Sequence, residues 1–193
     1  CFLHAEAYKG QALDSDEVVY DGETRPDDHV LKEMNAHGVS VYRITKGADG
    51  AFAPVADAHN RRITALTEID IAGPAKGSKL LVTKYAPNGD KTRGTINNCA
   101  YGVTPWNTYM AAEENWAGYF TSHDAENGEP KLPRELKRYG VVAGKNGRYG
   151  WEKAAGGADE YIRFDASTKG ASAAEDYRNE PNQFGWMVEI DPF

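Results

Sequence analysis

Turn-forming residues interrupt this chain so often that no long helix or strand can run through it. Twenty glycines and nine prolines are scattered without a period over 193 residues. Glycine weakens the interior of a regular element, and proline removes a backbone donor. The pattern excludes a collagen-like repeat and leaves no low-complexity tract. What remains is a set of short elements joined by many turns.

Two stretches carry helical spacing. In 26–37, Val30, Leu31 and Met34 share a face, Pro26 suits the first turn, and Gly38 supplies a left-handed stop. Residues 133–139 read as a short helix ended by Gly140. The rest reads as strands. Val39 and Val41 alternate with Ser40 and Tyr42, and Asp49-Gly50 is a hairpin signal before Ala51-Phe52. A strand is expected at 79–85, turned back by Pro87-Asn88-Gly89-Asp90 toward 92–96. Further strands are expected at 104–112, 161–164 and 184–190, with another tight turn at Asn146-Gly147. The polar stretches 123–133 and 154–159 read as surface excursions. No composition break or fixed-period repeat divides the chain, so 1–193 reads as a single region. The expected class is mostly β with helical and loop insertions. Diverged propeller blades are compatible with a sequence that shows no repeat.

Lys and Arg number 22 against 29 Asp and Glu, a net charge of −7. Nucleic acid needs a basic face, so no nucleic-acid partner is expected. An excess of carboxylates suits hard cations instead. Hydrophobic residues make up 40% and aromatics 11%, enough for a packed core. No run approaches the roughly 18–20 apolar residues of a membrane-spanning helix. Two cysteines, Cys1 and Cys99, are too few for a disulfide scaffold, and a single disulfide between them stays open as a rival to any metal role for Cys99. A start at Cys1 with no Met and no leader reads as a mature form or a fragment.

Common catalytic signatures are missing: there is no Gly-x-Ser-x-Gly elbow, no Walker loop and no His-Glu-x-x-His. Asp14-Ser15-Asp16 begins like a calcium loop, but Val18 stands where the next oxygen belongs. The five histidines, His4, His29, His37, His59 and His123, have no ligand spacing and read as surface or structural residues.

Two segments carry chemistry. Asn97-Asn98-Cys99-Ala100 is followed by Thr104-Pro105-Trp106 and then by Glu113-Glu114-Asn115. In an extended chain Glu113 and Glu114 point to opposite faces, so one faces a site while the other serves a second ion or a backbone group. The second segment runs from Asn179-Glu180-Pro181-Asn182 through Phe184-Gly185-Trp186 to Glu189-Ile190-Asp191-Pro192. There Glu189 and Asp191 share one strand face, and Phe184, Trp186, Val188 and Ile190 share the other. Paired carboxylates with an apolar backing can hold a metal rigidly.

Together these segments resemble the signature of the PhoX-type secreted alkaline phosphatases. Supporting matches are Ala36-His37-Gly38-Val39, Asn60-Arg61-Arg62-Ile63, Gly73-Pro74-Ala75 and Arg148-Tyr149-Gly150-Trp151, in family order. The resemblance implies a six-bladed β-propeller with a cluster of ferric iron and calcium at one mouth of its channel, hydrolysis of small phosphate monoesters, and export to the periplasm or beyond. It makes Cys99 an iron ligand and Glu113, Glu114, Glu189 and Asp191 candidate ligands to iron or calcium. Glu6 is a further candidate, although Ala5 stands where the family often has His. Ala111-Ala112 also replaces the Thr-Cys or Ser-Gly that often precedes the Glu pair. A blade takes on the order of 40–45 residues, so the chain is expected to be a piece of a larger propeller. The alternatives are a calcium-binding propeller module without turnover and a metal-dependent lactonase on the same architecture.

Overall fold

The computed structural model describes residues 24–193; Cys1, Glu6 and the Asp14-Ser15-Asp16 turn lie outside the described residues. Helix α1 (Asp27–Ala36) forms where its spacing predicts, with Val30 and Met34 buried and two acids, Asp27 and Asp28, at its positive end. It ends at His37, which is already extended at φ −72° and ψ 163°, and Gly38 follows in the left-handed region at φ +92°. Only glycine fits there: a Cβ would lie 1.9 Å from the carbonyl oxygen of Ile63. Gly38→Ala is therefore expected to cost about 2–3 kcal/mol, from strain plus overpacking. Equilibrium urea denaturation checks this as a fall in the midpoint.

Four short strands follow: β1 (Val39–Val41), β2 (Ile44–Lys46), β3 (Phe52–Pro54) and β4 (Arg61–Ile63). β2 and β3 make the expected hairpin, with Gly50 at φ +81°. β1 pairs antiparallel with β4. β5 (Glu68–Asp70) pairs antiparallel with β6 (Lys91–Arg93). The expected strand at 79–85 does not form. Lys79–Leu81 is a 3-10 turn instead, with the Ser78 hydroxyl accepting from Leu80 N. The reason lies far along the chain. Side-chain amides of Asn179, Asn182 and Gln183 donate to the carbonyls of Lys79, Leu80, Leu81 and Val82 at 2.7–3.1 Å. Those acceptors are thereby satisfied without a neighbouring strand.

β7 (Asn98–Val103), β8 (Tyr109–Glu113) and a strand near the C-terminus build a three-stranded sheet. β7 has no counterpart among the sequence expectations, and the strand expected at 104–112 begins only at Tyr109. Thr104-Pro105-Trp106-Asn107 is the turn between the two strands. Thr104 N donates to Thr108 O at 2.9 Å, and Asn107 takes φ +67°.

Beyond a 3-10 turn at Trp116–Tyr119 come β9 (Thr121–Ser122), β10 (Ala125–Glu126) and β11 (Glu129–Pro130). Asn127 and Gly128, both at positive φ, close the β10–β11 hairpin. α2 (Arg134–Tyr139) ends on left-handed Gly140 as expected, and β12 (Val142–Ala143) pairs parallel with β9. Residues 161–164, expected as a strand, are instead the end of α3 (Asp159–Ile162) and the turn that follows it. A four-residue run with three apolar members does not distinguish the two states by itself. Asp159 and Glu160 favour the helix from its first turn.

β13 (Met187–Ile190) completes the three-stranded sheet, whose order is β13-β8-β7. Val188 and Ile190 are buried and Met187 and Glu189 are exposed, which is the expected alternation. Phe184 and Trp186 do not share that face. Gly185, at φ +83°, turns the chain before the strand starts, and Phe184 drops into the main core.

That core is aromatic. Phe120 lies 5.0 Å from Phe164 and 5.3 Å from Phe184, ring centre to ring centre, and Trp151 meets Phe164 edge-on at 4.9 Å. A smaller cluster of Ile63, Val188 and Ile190 lies under the sheet. Arg163 and Glu180 are fully buried and joined at 2.8 Å. Among the described residues the strands make five two-stranded pairings and one three-stranded sheet. The class is mostly β, as expected, but these residues close no propeller.

Candidate metal centre

Cys99 sits at a break in the β7–β8 ladder. Asn98 faces Glu113 and Tyr101 faces Ala111, so Cys99 and Ala100 together oppose the single residue Ala112. This is a β-bulge, a device that re-aims side chains. The Cys99 thiol is free and exposed. The neighbouring Glu114 carboxylate raises the thiol pKa, first as an acceptor for its proton and then by its charge. A thiol and a carboxylate in contact need a proton or a cation between them once both would ionise. As a donor set, sulfur beside carboxylate oxygen suits ferric iron, which accepts both.

The two adjacent glutamates have opposite surroundings, as the period of two predicts. Glu113 turns inward. Its Oε1 accepts from the Thr95 hydroxyl at 2.7 Å and Ile96 N at 3.2 Å, and its Oε2 accepts from Gly185 N at 2.7 Å and Trp186 N at 3.2 Å. Four donors fill the roughly four lone-pair positions of a carboxylate. Burial pushes its pKa up, against the pull of those donors. Glu114 is exposed and bears on Cys99.

Glu189 and Asp191 lie on the other side of β8. The Trp106 indole and the Thr108 hydroxyl both donate to Glu189 Oε1, at 2.6 and 2.5 Å. These bonds, the Thr108 one first, hold its pKa low. Among the described residues its Oε2 takes no hydrogen bond. Asp191 Oδ1 accepts from Phe193 N at 3.0 Å, and its carbonyl accepts from Arg61. Both acids line a groove of about 530 Å³ with Asp70, Thr92, Glu113 and Gln183, and among the described residues no Lys, Arg or His lines it. Cys99 does not line that groove. The structure thus brings Cys99 together with Glu114, and Glu189 together with Asp191, but does not merge the two groups. Among the described residues no three of His, Cys, Asp and Glu gather as one ion's ligands. The expected single cage does not form among the described residues, because β8 separates β7 from β13.

Three residues that build this geometry received no role from the sequence: Thr95, Asn97 and His37. Their signal was positional, since Thr95 and Asn97 lie just before Cys99 and His37 just before a glycine stop. No local pattern links residue 37 to residue 97.

What the geometry defines is a bulged β-structure that presents a thiol beside a carboxylate. Comparison with known proteins narrows it. The family model for alkaline phosphatase PhoX matches residues 7–193. A solved structure, Pseudomonas fluorescens PhoX in complex with vanadate, a transition state analogue, is 35% identical. Its TM-score is 0.71, and the match covers 89% of this chain and 27% of that one. A search of curated proteins returns no match. The chain belongs to the PhoX alkaline phosphatase family.

Proposed function

We propose that this chain is part of an exported, metal-dependent phosphatase that hydrolyses small phosphate monoesters. Family membership supports the reaction class. The Pseudomonas fluorescens relative holds vanadate, described there as a transition state analogue, which supports phosphoryl transfer as the chemistry. The observation that carries the reading is the bulge that presents Cys99, with the Glu114 carboxylate as its neighbour.

Cys99 and Glu114 would hold ferric iron, the thiol giving up its proton to bind. Glu189, through its unbonded Oε2, and Asp191 would hold calcium, which prefers several oxygens. Glu6 is kept as a further ligand. Glu113 is assigned a bracing part rather than a ligand's, since its lone pairs are occupied. Bound there, the ions supply the positive charge that a phosphate dianion needs. The chain's own surface cannot do so at net charge −7. The bulge aims Cys99; Trp106 and Thr108 aim Glu189. The remaining ligands and blades would come from the rest of a six-bladed propeller of which 1–193 is one region. No helix among the described residues is long and apolar enough to cross a membrane.

The test is metal analysis of the intact protein together with p-nitrophenyl phosphate turnover. The expected result is iron and calcium retained together, with turnover abolished by a chelator and restored by adding both ions back. Turnover that survives complete metal removal overturns the reading. Calcium alone with no turnover replaces it with the binding-module alternative.

A further inference from the structure

We infer that Asn97, held by His37, is the positioning residue that sets Glu114 against Cys99. The inference rests on the metal-ligand reading above. Asn97 adopts the left-handed conformation, at φ +50°, which most residues avoid and asparagine tolerates. In that conformation it grips the backbone of Glu114 from both sides. Its carbonyl accepts from Glu114 N at 2.9 Å, and its side-chain Nδ2 donates to the Glu114 carbonyl. One residue, two positions before Cys99, thus fixes the peptide unit of the carboxylate that faces the thiol.

The grip is anchored in turn. Asn97 N donates to His37 Nδ1 at 2.9 Å, and both residues are buried. Nδ1 therefore carries the lone pair, and the ring proton sits on Nε2, which faces the Tyr119 hydroxyl at 3.4 Å. The imidazole is wedged edge-on against Tyr119 and Trp151, each at 5.4 Å between ring centres. Its backbone is fixed by the end of α1 and the tight Gly38 turn. Cys99 and Glu114 are exposed, and exposed side chains lose binding strength to rotamer freedom. The chain of contacts from His37 to Asn97 fixes the Glu114 backbone from which the carboxylate projects, and Asn115 Nδ2 holds its Oε1 at 3.0 Å.

The test measures ferric iron affinity of the intact protein by chelator competition, with thiolate-to-iron absorption and thermal midpoint read on the same samples. Asn97→Asp keeps the shape and removes the Nδ2 donor. It is expected to weaken iron binding about 10–100-fold, as loss of an outer-shell partner does, with the midpoint shifted by no more than a few degrees. Asn97→Gly adopts φ +50° without strain and is expected to do the same. Cys99→Ser is the control for the underlying reading. If Cys99→Ser loses iron and both Asn97 variants keep wild-type affinity, the positioning inference fails alone. If Cys99→Ser keeps its iron, the ligand reading fails and the inference falls with it. If both Asn97 variants fail to fold, the residue serves the fold rather than the site, which also overturns the inference.

Discussion

Replacing Arg163 with methionine is expected to cost about 3–5 kcal/mol of stability, the range for breaking a buried ion pair by removing one partner. Arg163 and Glu180 are both fully buried, joined at 2.8 Å. Burial pulls the Arg163 pKa down and pushes that of Glu180 up, each opposed by the partner's charge. Arg163 also donates to the carbonyls of Arg93 and Ala65 at 2.7 Å and of Glu160 at 3.2 Å. One guanidinium thus ties the end of β6, the turn before β5, α3 and the segment leading into β13. Methionine leaves three acceptors and one carboxylate unanswered. The double variant Arg163→Met/Glu180→Met removes the stranded charge and is expected to recover part of the loss, because Glu180 Oε2 already takes no hydrogen bond among the described residues. Urea denaturation of the three proteins checks this. A double variant no more stable than Arg163→Met would show that the backbone carbonyls, not the charge, set the cost.

That pair also marks the boundary of what the sequence could disclose. Helix ends were legible where a left-handed glycine is a local demand: Gly140 caps α2, while α1 ends one residue before the left-handed Gly38, at an extended His37. The β2–β3 hairpin was legible for the same reason. The stretch 79–85 was not, since its apolar run is strand-like and only side-chain amides a hundred residues away make it a turn. Residues 161–164 hid a helix because the reading turned on four residues whose Arg163 pairs with a partner invisible locally. In the site, the motif strings and the opposite orientation of Glu113 and Glu114 could be read from spacing. Which of the two faces outward could not, since that depends on Thr95 and Gly185 reaching Glu113. Nor could the separation of Cys99 from Glu189, which is set by a strand order that places β8 between them.

The same pair of glutamates yields the sharpest contrast of outcomes. Glu113→Gln is expected to cost about 3 kcal/mol, since an amide nitrogen placed among four donors strands two of them, and each buried donor left unsatisfied costs roughly 1–3 kcal/mol. Glu114→Gln, on the exposed side, is expected to leave the denaturation midpoint unchanged within error and to remove bound iron. The proton linkage of Glu113 adds a signature. Its native pKa lies above the ordinary carboxylate value, so the folded chain holds that proton more tightly than the unfolded chain does. Its contribution is full below the unfolded pKa and declines as pH rises through the native one. Glutamine does not titrate, so the stability gap between wild type and Glu113→Gln should narrow as pH is raised from the ordinary carboxylate range toward neutrality. Denaturation midpoints taken across that window, beside iron retention for both variants, separate brace from ligand. Iron lost from Glu113→Gln at an unchanged midpoint would reverse the two assignments.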